Sequence, residues 1–190
     1  MTWLIVFLGM VVVVGPIMYL LPNAKDKRLS ALRGRARALG MSVQITSIAK
    51  LDPSAAERVS AGGRTLQPQT ACAGYKLPLG QKLALSGELM LLRLPPAPSV
   101  TVNEVLPGLA LSTESDAQLW ARYNAGGAAT RLIENAFQRL PQDTLGIAIE
   151  AHNVVCFWQE KAKADGDEVA TIRAVLEQLR EDLQARFGSI

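Results

Sequence analysis

His152 is the only histidine in the chain, so any Ser-His or Cys-His nucleophile pair would have to be built around it. It falls in "EAHNVV", between two alternating apolar runs, where a tight turn places it at the surface rather than beside a nucleophile. Cys156 alternates with Val154 and Trp158, the spacing of a small core residue in a strand. Cys72 has no basic neighbour in sequence to lower its pKa towards a reactive thiolate. The carboxylates of "ADGDEV" begin like a calcium loop, with Asp165 and Asp167 two apart, but Val169 stands where a third oxygen ligand is wanted. A turn at Asp165-Gly166 and acids at a helix N-terminus, Asp167 and Glu168, account for the cluster. Gly126-Gly127 joins two helical stretches and predicts a helix-helix corner, not a phosphate cradle. No C-x-x-C, H-E-x-x-H, Walker A or G-x-G-x-x-G pattern occurs. These residues predict neither a catalytic set, nor a cofactor, nor a metal.

The elements that would position them can be read from periodicity. "MSVQITSIAKL" (41–51) alternates as a strand, and Asp52-Pro53 reads as the cap and first residue of a short helix through "SAAERVS", ending at Gly62-Gly63. A polar loop from Gly62 to Thr70 leads to two strand-like runs, 71–79 and 82–94. "PPAPS" (95–99) then interrupts the pattern, since its prolines supply no ladder donors. Beyond it an extended stretch leads to a helix capped by Ser115 and carrying Trp120 and Tyr123. A second helix follows, with Leu132, Ile133, Ala136, Phe137 and Leu140 on one face and Pro141 closing it. Leu145, Ile147, Ile149 and Ala151 alternate up one arm of a hairpin. A turn at His152-Asn153 pairs them with Val154, Cys156 and Trp158. From Asp167 to Phe187, Val169, Ile172, Leu176, Leu179 and Leu183 form a stripe suited to lying on a sheet. Glu177, Glu181 and Asp182 alternate with Arg173, Arg180 and Arg186 on its outer side, a solvated face first and a partner surface second. The order predicts α+β architecture: an antiparallel sheet, helices on one face, and a long C-terminal helix.

Ahead of this body the sequence changes character. No side chain from Thr2 to Leu21 is charged. A helix of about 20 residues spans the ~30 Å hydrocarbon core of a bilayer. Trp3 and Tyr19 stand where interfacial rings are preferred, and neither a basic n-region nor a small-residue cleavage site is present, so an uncleaved transmembrane anchor is expected. Residues 24–40 then carry Lys25, Lys27, Arg28, Arg33, Arg35 and Arg37 against Asp26 alone, whereas the whole chain has a formal net charge of only +3. Lysine and arginine beside a span are retained in the cytosol, which puts the amino terminus outside and the remaining domain inside a bacterial plasma membrane. Cys72 and Cys156 fit that reducing compartment without a disulfide framework. The basic stretch has Leu29, Leu32, Ala36 and Leu39 at helical spacing and Gly40 as its cap. Its six cations are candidate contacts for anionic lipid, unless they serve only as a topology signal. Nucleic acid is a poor partner for a run without interleaved aromatics.

The expected organisation is a transmembrane anchor (1–23), a basic juxtamembrane helix (24–40), a β-rich subdomain (41–94), a proline linker (95–99) and an α+β subdomain (100–190). The stretches "LPGLALSTESDAQLWAR", "LIENAFQRL" and "LGIAIEAHNVVCFWQEK" resemble uncharacterised bacterial domains anchored by a single span. In those, two short helices, a hairpin and a closing helix follow one another. In topology alone, an amino-terminal span and a basic cytosolic segment, the chain is also similar to the translocase accessory protein YajC. The resemblance to the anchored bacterial domains implies a fold and a setting and no activity, and that to YajC stops at topology. The function expected is that of a non-enzymatic, single-pass inner-membrane protein. Its cytosolic domain binds a membrane-protein partner, as adaptor or accessory subunit; the alternative is a membrane-anchored small-ligand sensor or enzyme.

Overall fold

The computed structural model describes residues 23–60, 62–84, 87–95, 103–112, 117–161 and 166–187, together with Trp3 and Phe7. The expected membrane span lies outside that set apart from those two side chains. Among the described residues no helix is long and apolar enough to cross a membrane.

The first helix, α1 (Ala24–Ala38), has Asp26 in its first turn and Arg35 and Arg37 in its last, the charge order its dipole favours. It ends as its glycine predicts. Gly40 takes φ +78°, its N–H donates to the carbonyl of Arg37 at 2.9 Å, and that of Met41 donates to Ala36 at 3.0 Å. This pair of bonds satisfies the last carbonyls and turns the chain straight into β1 (Ser42–Ala49).

Next in order come β2 (Gln69–Pro78), β3 (Leu89–Arg93), β4 (Glu104–Leu106) and β5 (Leu109–Leu111). The helices α2 (Ala117–Tyr123) and α3 (Ala128–Arg139) are joined by a 3-10 turn, and β6 (Thr144–Ile149), β7 (Asn153–Trp158) and α4 (Gly166–Phe187) complete the chain. All strand pairs are antiparallel in one seven-stranded sheet of order β1-β2-β7-β6-β3-β5-β4. Strands from both sides of the proline-rich stretch, expected in separate subdomains 41–94 and 100–190, therefore share one sheet. β2 pairs with β7, and β3 with β6 and β5.

The two sheet faces differ. One carries Tyr75, Leu91, Ile147, Cys156 and Trp158, packed with Leu32 and Ala36 of α1, Ile133 of α3 and the stripe Val169, Ile172, Leu176, Leu179 and Leu183 of α4. Each buried leucine, isoleucine or valine among these contributes about 1.5–3 kcal/mol. The other face carries Ile48, Cys72, Met90, Leu92, Ala148, Val155 and Phe157, a second cluster to which, among the described residues, no helix contributes.

Four local expectations are corrected. "SAAERVS" forms a single turn over 55–58, not a helix. The Glu57 carboxylate folds back on Ser54, accepting from its N–H at 3.0 Å and its hydroxyl at 3.1 Å, and Val59 bridges to Thr65 instead of propagating a helix. A nucleus that short does not repay its own ordering. In the hairpin, Ile147 opposes Cys156 and Ile149 opposes Val154 as the alternation predicts. Its tip lies at Ala151-His152, one residue earlier than expected, closed by the Glu150 N–H on the carbonyl of Asn153 at 2.8 Å. Ala151 is thus in the turn and not on the arm. At the other end a bulge between Thr144 and Gly146 turns Leu145 away from Ile147 onto the opposite face. Among the described residues of the run 82–94, Leu89–Arg93 alone form a strand.

Candidate functional site

The basic helix is part of the domain. Arg33 reaches across to Glu160, just past β7, with its Nε 3.0 and 3.1 Å from the two carboxylate oxygens and an Nη on Oε2. The Tyr75 hydroxyl donates to the same carboxylate at 2.7 Å. Only 6% of the Glu160 side chain and 25% of that of Arg33 is exposed. The hydrogen bond to Glu160 raises the Arg33 pKa against the opposing effect of burial. Burial first, and then the bond to Glu160, push the Tyr75 hydroxyl well above its ordinary value. Arg173 adds a second tie, its Nε donating to the carbonyl of Leu39 at 2.8 Å. Of the six candidate lipid contacts, Arg33 is thus turned into the fold. Arg35 lies 3.8 Å from Asp167 with both side chains largely in solvent, and Lys25, Lys27, Arg28 and Arg37 are exposed.

A second feature lies on the helical layer. Between α3 and α4 runs a groove of about 380 Å³, floored by Leu132, Ala136, Val175 and Leu179 and edged by Arg131, Arg139 and Arg186. Arg139 bonds Gln178 across it. Asp182 is the single carboxylate among its lining residues, and Arg131 and Arg186 make no hydrogen bond or ion pair among the described residues. The entry to α3 is set by Asn124, whose side-chain oxygen accepts from both the N–H (3.1 Å) and the hydroxyl (3.0 Å) of Thr130.

The residues considered for chemistry are not brought together. His152 is exposed at the hairpin tip, whereas Cys156 is fully buried on the helix-covered face. Burial pushes the Cys156 thiol up to about 12 and that of Cys72 up to about 11. Asp165 lies outside the described residues, and Asp167 and Glu168 occupy the first turn of α4. Among the described residues no group of three histidine, cysteine or acidic side chains is placed to hold a metal ion. Gly127 sits at the helix corner with φ +69°.

Sequence reasoning missed Glu160. Its only signal is that it is the first acid after a fully apolar strand, in "FWQEK". It also missed the arginine groove, because Arg131 and Arg139 on one helix and Arg186 on another share no sequence pattern.

Fold and surface together define an antiparallel α+β domain with helices on one face and an integral basic helix at its start. No family model matches the chain, and no curated protein matches it. A similar solved structure is that of the mycobacterial trehalose monomycolate transport factor A, TtfA, at 10% identity and a TM-score of 0.46, covering 89% of this chain and 99% of that one. That degree of likeness assigns this chain neither family nor function.

Proposed function

We propose that this chain is a single-pass, inner-membrane accessory protein whose cytosolic domain holds a membrane-protein partner at a set orientation to the bilayer. The observation that supports it is the clamp of Arg33 on Glu160 and Tyr75. α1 is packed into the core through Leu32 and Ala36, and only Pro22 and Asn23 separate its first residue, Ala24, from the apolar run ending at Leu21. An enzyme tethered for convenience needs no such rigidity, whereas an adaptor gains from it by lowering the ordering cost of docking. The exposed cations at the start of α1, Lys25, Lys27 and Arg28, then lie nearest the leaflet surface, each contributing about 1 kcal/mol of attraction to anionic lipid. The groove between α3 and α4 offers the partner surface, its arginines matched to an acidic, amphipathic segment.

Extraction of the intact chain in mild detergent, followed by native mass analysis, tests this. A stable co-purifying membrane protein is expected, lost on Arg131→Glu with Arg186→Glu and weakened by added salt. A strictly monomeric species, or a partner indifferent to both substitutions and to salt, argues against it.

A further inference from the structure

We infer that the end of the sheet where β1, β3 and β7 finish faces the bilayer, and that a cleft in it seats a phospholipid of the adjacent leaflet; this rests on the membrane-anchored reading above. The direction of α1 carries the first half. α1 turns at Gly40 into β1 and so runs back along it, with Arg33 level with Glu160 just beyond the end of β7. Leu39 lies further along, held by Arg173 inside α4. Ala24, at the start of α1, therefore stands about 14 Å beyond Arg33 in the direction in which β1 and β7 run, at 1.5 Å per helical residue. The apolar run ends at Leu21, three positions before that helix starts. So short a connection sets this end of the sheet against the membrane.

The cleft supplies the second half. It opens at the same end, next to Gln159, with a volume of about 380 Å³ and an apolar floor of Ile48, Leu51, Leu92, Leu94 and Leu145. Leu51, Leu94 and Leu145 remain half-buried. Among the described residues, no helix contributes to the apolar cluster beneath them. Lys50 pairs with Glu57, Lys161 pairs with Asp143, Arg93 donates to the carbonyls of Gln142 (3.4 Å) and Phe137 (3.1 Å), and Asp52 is the remaining charge at the rim, itself not free. A rim whose charges are already engaged, around an apolar floor, favours insertion of glycerol and upper acyl carbons over capture of a free anion. A protein occupant would have to fit between the sheet end and a leaflet only three residues of chain away.

The test uses the full chain in vesicles of phosphatidylcholine and phosphatidylglycerol, each bearing a diazirine on an upper acyl carbon. After photolysis, lipid adducts are expected on peptides containing 48–51, 92–95 and 142–145. They should fall by about tenfold in Leu51→Asp with Leu145→Asp, as polar groups enter the apolar site. Leu94→Ser serves as a milder variant should that pair disturb folding. Adducts confined to residues 1–22, or spread evenly over the domain, overturn the lipid seat. Alkaline carbonate extraction of the same vesicles separates the two readings. Release of the protein sinks the anchor itself, whereas retention without cleft adducts sinks only the lipid seat.

Discussion

Arg33 and Glu160 stand 127 positions apart in the chain and meet as a hydrogen-bonded ion pair, with the Tyr75 hydroxyl as a third partner. Removing the charge at Glu160 strands a partly buried guanidinium, a larger loss than the net worth of the intact pair. Glu160→Gln keeps the shape and an acceptor for Tyr75, and is expected to lower stability by about 2 kcal/mol, discounted for the solvent that reaches Arg33. The apolar replacement Arg33→Met with Glu160→Leu and Tyr75→Phe, which leaves no buried hydroxyl without an acceptor, should recover most of it. Denaturant unfolding of the full chain in detergent, followed through Trp158, which packs 5.6 Å from the Tyr75 ring, measures both. Equal midpoints for parent and Glu160→Gln would show that the clamp holds nothing.

Gly146 follows the bulge of β6. A Cβ there would lie 2.5 Å from both the carbonyl oxygen of Leu91 and Cδ2 of Leu92. The first of these is backbone and cannot rotate away. Gly146→Ala is therefore expected to cost about 2–3 kcal/mol, at the upper end of overpacking penalties. Gly34, with nothing within 4 Å of such a carbon, is the control: in the middle of α1, alanine should stabilise by about 0.5–1 kcal/mol. The two changes should move the unfolding midpoint in opposite directions.

Glu57 titrates low. Its carboxylate is held near a pKa of about 2, against an ordinary 4.5, first by the hydrogen bond from Lys50 and then by those from Ser54. With the folded value depressed, the stabilisation is present above pH 4.5 and is lost as the pH falls from there through about 2. A carboxylate-resolved NMR titration should place its midpoint near the lower value. Lys50→Gln should raise it, and an unchanged midpoint in that variant would contradict the assignment of Lys50 as the main cause.

Both thiols should be inert in the folded state. A rise from 9.0 to about 11 at Cys72 lowers its thiolate fraction about a hundredfold at neutral pH, and burial limits reagent access as well. Alkylation at pH 8 is expected to be slow for the native chain and complete within minutes after denaturation. Rapid native labelling of Cys156, which is fully buried, would mean that the hairpin opens locally.

Legibility in the sequence followed the range of the interaction. The end of α1 was readable because Gly40 and the carbonyls it satisfies lie within one turn. The stripe on α4 and the pairing of Ile147 with Cys156 were readable because periods of 3.6 and 2 are local properties of the backbone. These patterns say which face of an element is buried but not against what. The sequence alone determined an antiparallel α+β body of amphipathic elements, the stretch 24–40 as a basic helix, and the uncharged run ahead of it.

Tertiary structure decided the rest. Backbone hydrogen bonds are chemically alike in every strand, so nothing local places β7 between β2 and β6 or β3 between β6 and β5. Only closure of the whole sheet does. Leu145 alternates with Ile147 in sequence yet packs on the opposite face, because a bulge adds a residue to one strand and reverses the alternation there. Arg33 has the same chemistry as Arg35 and Arg37. It became a clamp rather than a surface charge because the fold brought Glu160 within hydrogen-bonding reach of it and of Tyr75.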